Sequence, residues 1–315
     1  RTLMIAHISK INTLGSHFTR IYNFVNSNKF ISGITARLVG FAPERQFPLL
    51  YKTTLERWYK GFSSQRQGSF PNGRVYLFND EFTRFNDTEI GIKAIKLLTT
   101  LGYDVVIPDH LESARTFLSK GLVKRAKKIA NANIGKLQSL ISDEIPLVGI
   151  EPSAILTFRD EYKELADQPL KEAANSLAKN ALMIDEFLQR EVKRGKITQS
   201  QFTTETKEIK LHGHCHQKAL ASTNPTLFML NFPQNYTATE IPSGCCGMAG
   251  SFGFEKEHYD LSMKIGELVL FPAVRNSAPT TLIAAPGTSC RHQIKDGTSR
   301  TAYHPVEILY DALSK

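Results

Sequence analysis

The apolar positions change their spacing along the chain, and the changes divide it into three parts. Over residues 1–70 they recur in short helical stretches, 16–25 and 50–58, separated by Gly40, Pro43 and Pro48. This predicts a helical lead-in, with the Ser-, Gln-, Gly- and Pro-containing stretch 61–73 as a linker. Beyond it, short apolar runs alternate with helical ones. Strands are predicted at 75–78, 104–107 and 146–150, the second ended by Pro108. A helix over 89–101 sets Ile90, Ala94, Leu97 and Leu101 on one face ahead of Gly102, and a longer helix covers 119–141. A helix over 170–192, with Gly195 near its end, leads into a second series. There the strands fall at 208–212, 237–241 and 281–285, with a helical stretch after the first and a helix over 255–271. Strands and helices alternating at these lengths predict parallel βαβ units. The fold class is therefore α/β: two pseudo-duplicated α/β units of about 90 residues each, with mainly parallel sheets and a helical lead-in. The expected divisions are 1–70, 71–200 and 201–315.

Composition narrows the function more than the fold. The 315 residues are 41% hydrophobic and 22% charged, as in ordinary globular proteins. No apolar run approaches the ~20 residues that cross a bilayer. The chain opens with Arg1 and shows no signal-peptide pattern, which predicts a piece of a longer polypeptide, and its few, clustered cysteines fit a reducing, cytosolic setting with metal-bound thiolates. The formal charge of +9 admits nucleic acid, anionic lipid or an acidic partner. However, the densest basic run, Lys124 to Lys128, lies on a helix whose Leu122, Ala126, Ile129 and Leu137 form the inner face. Its cations are then a solvated face rather than a nucleic-acid footprint. Trp58 and the other aromatics read as core packing, not as a base-stacking platform.

The chemistry sits in four cysteines, all in the last third of the chain. Cys215 stands in His-Gly-His-Cys-His, Cys245 and Cys246 in Ser-Gly-Cys-Cys-Gly-Met, and Cys290 in Pro-Gly-Thr-Ser-Cys-Arg. A disulfide scaffold would be smaller and denser in cysteine, and adjacent cysteines pair poorly with each other. Each segment follows a predicted strand, and the carboxyl ends of parallel strands gather on one sheet edge. Gly213, Gly244, Gly247 and Gly287 let the backbone approach a bulky inorganic group. Four thiolates suit a [4Fe–4S] cluster or, alternatively, a tetrahedral zinc site. His212, His214 and His216 alternate, so an extended strand would put them on one face. They could ligate metal, but the reading taken is imidazole N–H groups bonded to cluster sulfur. Arg291, His292 and Lys218 are expected to offset thiolate charge. Glu151, Arg159, Asp160 and Glu161 form a charged group that either lines a docking cleft or makes an ion-pair network orienting its turn.

At these residues the sequence resembles the cysteine-rich CCG domain family, whose double-cysteine signature is here Cys245-Cys246-Gly247. The likeness is carried by His212-Gly-His-Cys-His-Gln-Lys-Ala219, Ser243-Gly-Cys-Cys-Gly-Met-Ala-Gly-Ser-Phe-Gly253, Gly287-Thr-Ser-Cys-Arg-His-Gln-Ile294 and His304-Pro305. In the first half, Glu151-Pro-Ser-Ala-Ile-Leu-Thr-Phe-Arg-Asp-Glu161 and Leu118-Ser-Lys-Gly-Leu122 match as well. The family includes the B subunit of heterodisulfide reductase and the iron–sulfur subunits of glycolate oxidase and anaerobic glycerol-3-phosphate dehydrogenase. Within this resemblance the closer likeness is to the C-terminal part of large FAD- and iron–sulfur-containing D-2-hydroxyacid dehydrogenases of the D-lactate type. The resemblance covers roughly residues 70–315 and implies electron transfer, with no catalytic residue in this chain. FAD and a ferredoxin-like domain would lie upstream, and a quinone or another carrier would accept the electrons. It also implies a cytoplasmic location, or a peripheral one at the inner face of a membrane. Two departures stand out. Asn79-Asp80-Glu81, Glu112-Ser113 and Ala154 occupy the places of first-half cysteines, so that half is expected to be scaffold or docking surface. Gly287 replaces the first cysteine of a C-x-x-C pair, which argues against thiol or heterodisulfide reduction at a five-cysteine cluster.

Overall fold

The computed structural model describes residues 1–65 and 68–314. It contains two four-stranded sheets, each wholly parallel. The first comprises β1 (Gly73–Phe78), β2 (Tyr103–Val106), β3 (Leu147–Gly149) and β4 (Ala181–Met183), in the order β2-β1-β3-β4. The second comprises β5 (Lys207–Leu211), β6 (Tyr236–Glu240), β7 (Leu282–Ala284) and β8 (Ala302–Tyr303), in the order β6-β5-β7-β8. Identical strand order in both sheets is the duplication that the alternating pattern predicts. Val75, Leu77 and Phe78 of β1 are fully buried, as befits an inner strand covered on both faces.

The two units share a core. Leu77, Val148 and Ile184 of the first belong to one apolar cluster with Ile209, Leu211 and Leu309 of the second. Helices Thr88–Thr100 and Pro305–Asp311 pack together within it. The lead-in forms helices Thr2–Ala6, Ile8–Ser16, Thr19–Ser27, Lys29–Val39 and Leu55–Gln65. Helix Thr19–Ser27 buries no residue, and Phe18, Phe24, Phe30 and Leu38 stand more than 60% exposed.

Several predicted elements need correction. The expected single helix 170–192 is two helices, Lys171–Asn180 and Ile184–Lys193, with β4 between them. Ala-Leu-Met favours helix intrinsically, and pairing with β3 overrides that preference. The expected helix 255–271 begins as short 3-10 turns, becomes helical at Tyr259–Leu268, and restarts as Leu270–Arg275. Pro272 explains the interruption: it has no N–H for the carbonyl four residues earlier, and the restart places it in a first turn. The long helix 119–141 is Val123–Leu137, preceded by the separate turn Arg115–Leu118. On it Ala126, Ile129 and Leu137 are buried while Lys124, Arg125, Lys127 and Lys128 are exposed, as its pattern predicts, whereas Leu122 precedes the helix and is only half-buried. Residues 61–65 of the expected linker close helix Leu55–Gln65, and Arg66 and Gln67 lie outside the described residues. Among the described residues, no helix is long and apolar enough to cross a membrane.

Candidate metal centre

The cysteines follow the carboxyl ends of β5, β6 and β7. Cys215 opens helix Cys215–Leu220, Cys245 and Cys246 lie in the loop after β6, and Cys290 sits in the first turn of helix Thr288–Thr298. All four are free thiols that meet in sequence: Cys215 with Cys245, Cys245 with Cys246, and Cys246 with Cys290. Burial deepens along this row. Cys215 is exposed and Cys245 half-buried, whereas Cys246 and Cys290 belong to an apolar cluster with Met248, Phe271 and Ile283.

Hydrogen bonds polarise the row. Cys245 accepts from the thiols of Cys215 and Cys246 and, at 3.3 Å, from the Gly247 amide, which holds it well below the usual thiol range. Cys290 is lowered in the same way, chiefly by Cys246. The two donors, Cys215 and Cys246, are pushed up by the neighbours they donate to. Two glycines shape the site. Gly247 has φ +98°, and a Cβ there would lie 2.2 Å from the Ser262 carbonyl oxygen. A Cβ on Gly287 would lie 2.4 Å from Cδ2 of His214 and 3.3 Å from Sγ of Cys290. Gly244, by contrast, faces open space, so no close approach requires it.

The histidines do not share a strand face, because β5 ends at Leu211. His214 instead caps helix Cys215–Leu220, its Nδ1 accepting the His216 amide at 3.2 Å. His216 turns towards Asp160 and Glu161, and burial holds its pKa down to about 4. His212 is fully buried, with Nδ1 2.7 Å from Ser243 Oγ. A ring nitrogen of His212 and the sulfurs of Cys246 and Cys290 lie within 4.8 Å of one another. Its Nε2 has no hydrogen-bond partner, an orphaned buried group of the kind a metal centre would satisfy. The residues present therefore fit a metal or cluster.

The charged residues depart from expectation. Arg291 turns away from the sulfurs to Asp87 and to the carbonyls of Ala285 and Pro286. Burial lowers the pKa of His292, which disfavours the cation that would offset thiolate charge. Lys218 donates to the Ser243 carbonyl at 2.6 Å and pairs with Glu240, bracing the double-cysteine loop. Nor do Glu151, Arg159, Asp160 and Glu161 form one network. Arg159 pairs with Glu186, Glu161 with Arg115, and Glu151 accepts from the amide and hydroxyl of Thr288. That last contact ties the first unit to the turn before Cys290. Ser243, Thr288 and Asp87 escape a sequence reading, although Ser243 and Thr288 adjoin the cysteine motifs.

The corresponding edge of the first unit carries carboxyls instead of thiols. Asp80 is buried and accepts from the Thr83 amide and hydroxyl, and Glu81 accepts from Ser113. Burial, with Glu81 nearby, raises Asp80 from 3.8 to about 7. The native state therefore retains a proton that the unfolded chain loses, so this contribution is complete below pH 4 and fades towards pH 7. Asp80→Asn should gain on the wild type by roughly 2 kcal/mol between pH 5 and 7, read from urea unfolding at each pH. A constant difference would show that Asp80 ionises normally.

No family model matches the chain. Its similarity to known proteins nevertheless spans its whole length. It is 26% identical over 320 residues to the C subunit of anaerobic glycerol-3-phosphate dehydrogenase of Escherichia coli (strain K12), covering all of this chain and 77% of that one. It is 24% identical over 323 residues to D-2-hydroxyglutarate dehydrogenase of the same strain, and 25% identical over 307 residues to that of Haemophilus influenzae. The chain is homologous to both kinds of dehydrogenase. It spans about three quarters of the first, but only 30% and 29% of the two D-2-hydroxyglutarate dehydrogenases.

Proposed function

We propose that Cys215, Cys245, Cys246 and Cys290 hold a [4Fe–4S] cluster, and that the chain is an electron-transfer region of a flavin-dependent D-2-hydroxyacid dehydrogenase. The observation that carries this reading is the row of four sulfurs, drawn from three segments to one sheet edge so that each meets the next. The cluster, when bound, would supply one-electron redox chemistry. The chain's own residues supply the rest. Gly247 allows the double-cysteine loop its turn, Lys218 braces it, and the apolar cluster around Cys246 and Cys290 keeps water from the inner sulfurs. In this reading the flavin, a ferredoxin-like domain and the acceptor belong to other parts of the assembly, and 201–315 is the functional unit. Residues 1–43 contain no acidic side chain and expose Phe18, Phe24, Phe30 and Leu38, which supports the lead-in as the surface that meets those parts.

Iron and acid-labile sulfide analysis of protein purified without oxygen tests the reading. About four of each per chain are expected, with a brown absorption that bleaches on reduction. One zinc and no sulfide, with iron available during expression, would make the site structural and overturn the proposal.

A further inference from the structure

A groove outside the cysteine centre joins an apolar floor to a cationic rim. Helices Thr2–Ala6 and Ile8–Ser16 run on almost without a break, since the His7 amide donates to the Leu3 carbonyl and the His7 carbonyl accepts from Ile11. Leu3, His7 and Lys10 therefore share one face at helical spacing, while Ala6 is buried on the other. Opposite them the chain turns from helix Arg115–Leu118 into helix Val123–Leu137. The space between the two walls is a groove of about 680 Å³, floored by Phe117 and Leu122. Phe117 is held edge-on by the His7 ring at 5.1 Å, and the Arg125 guanidinium lies over it at 5.9 Å.

The rim carries charge of one sign. Lys10, Lys124 and Arg125 are exposed, and among the described residues none of them pairs with a carboxylate. Lys127 and Lys136, on the same helix as the last two, are by contrast held by Asp167 and Asp109. No acidic side chain lines the groove, and residues 1–43 contain none. Solvation accounts for cations along a bare helix face. It does not account for cations gathered round a recess where Leu3 and Val123 stand 65% and 50% exposed. A recess of this kind seats a protruding side chain, whereas a flat bilayer surface would touch only its edges.

Two links tie the groove to the outer end of the cysteine row. Arg115, on the short helix that carries Phe117, is close enough for its charge to act on His216, the neighbour of exposed Cys215. Lys120, just before Gly121 of the groove wall, pairs at 2.7 Å with Glu255, which also accepts from Ser251 in the double-cysteine segment. We infer that this groove docks an acidic segment of the protein that exchanges electrons with the cysteine centre. An apolar side chain of that segment lies on Phe117 and Leu122, and its carboxylates face Lys10, Lys124 and Arg125. The inference rests on the electron-transfer reading above, and narrows the contact surface from the whole lead-in to one groove. Redox encounters are small and brief, and exposed charges of complementary sign serve them by steering the approach.

The test is fluorescence anisotropy on the full, anaerobically purified chain with a labelled peptide that has a central Phe-Leu pair flanked by glutamates. A second peptide of equal charge has serines in place of the pair. The Phe-Leu peptide is expected to bind more tightly than the serine one, with an affinity that falls as salt screens the rim. Lys124→Glu combined with Arg125→Glu should weaken it about 10-fold or more. Leu3→Ser with Val123→Ser, both at exposed positions, should remove the preference for Phe-Leu and keep the salt dependence. Lys136→Glu, on the same helix but outside the groove, should change little, and iron content should be the same throughout. Equal binding of the two peptides would reduce the effect to attraction by the chain's net positive charge and overturn the docking assignment. Binding unmoved by the rim pair, or no binding, would overturn it as well. So would phosphatidylglycerol vesicles held through Lys124 and Arg125 by a chain that binds neither peptide, a result that makes the face a membrane contact. Wild-type protein that binds the Phe-Leu peptide but holds no iron or sulfide would instead overturn the electron-transfer reading beneath the inference.

Discussion

Alanine at Cys246 or Cys290 is expected to leave the protein folded, colourless and without stoichiometric iron or sulfide. Both sulfurs are almost fully buried, at 3% and 2% exposure, so no water can take their place as it could at Cys215. Removing a partner that merely orients a ligand already costs about 10–100-fold in metal affinity, and removing a buried ligand costs more. The row of contacts also predicts a gradient. Cys215→Ala, at the exposed end, should give a cluster that forms but bleaches quickly in air. Cys245→Ala should fall between, because its sulfur is half-buried and held by the Gly247 amide. Iron and sulfide per chain, with far-UV circular dichroism as the control for folding, read the whole series. A Cys246→Ala protein that stays brown with full iron would remove the inner sulfurs from the ligand set and break the proposal at its strongest point.

How much of this could be read from the sequence depended on where each signal lay. The inner strand β1 was legible because burial on both faces makes Val75 to Phe78 apolar, β5 because Ile209 and Leu211 alternate with Glu208 and Lys210, and the cysteines because their glycine-flanked loops each follow a strand. Strands β4 and β8 were not, since two or three residues at the ends of the sheets acquire their conformation only from the neighbour they pair with. The break before Pro272 could have been found from the proline alone. The roles of the histidines could not. The motif places His212, His214 and His216 in sequence, but their tautomers depend on Ser243 and on a helix start that ends the strand early. Glu151 was visible as a charge near a turn, whereas its partner Thr288 lies in the other unit and becomes a neighbour only in the fold.

The same long-range logic places a large effect on a residue far from the cysteines in sequence. Arg45, in the lead-in between helices Lys29–Val39 and Leu55–Gln65, is fully buried and reaches two of the three cysteine-bearing segments of the second unit. Its Nε donates to the Gly253 carbonyl at 2.9 Å, at the end of the double-cysteine loop, and Nη2 to Ser262 at 3.1 Å. Its Nη1 pairs at 2.6 Å with Asp296, on the helix that begins beside Cys290. The guanidinium also lies 5.0 Å from the centre of the Tyr259 ring. One planar cation therefore fixes the spacing between the loop and the helix, and a lysine could not match its fork of donors. Arg45→Met leaves two buried acceptors and a partly buried carboxylate without their partner. The expected loss of stability is about 3 kcal/mol, the lower end for a broken buried pair because Asp296 remains a quarter exposed. Urea unfolding of the cluster-free protein reads this loss directly. In the holoprotein the same change should speed iron release, because the segments carrying Cys246 and Cys290 are no longer held in register. Adding Asp296→Leu should restore part of the stability by removing the stranded charge, but not the iron retention, since the clamp is still missing. An Arg45→Met protein with an unchanged unfolding midpoint would show that the lead-in only covers the second unit and does not hold the site together.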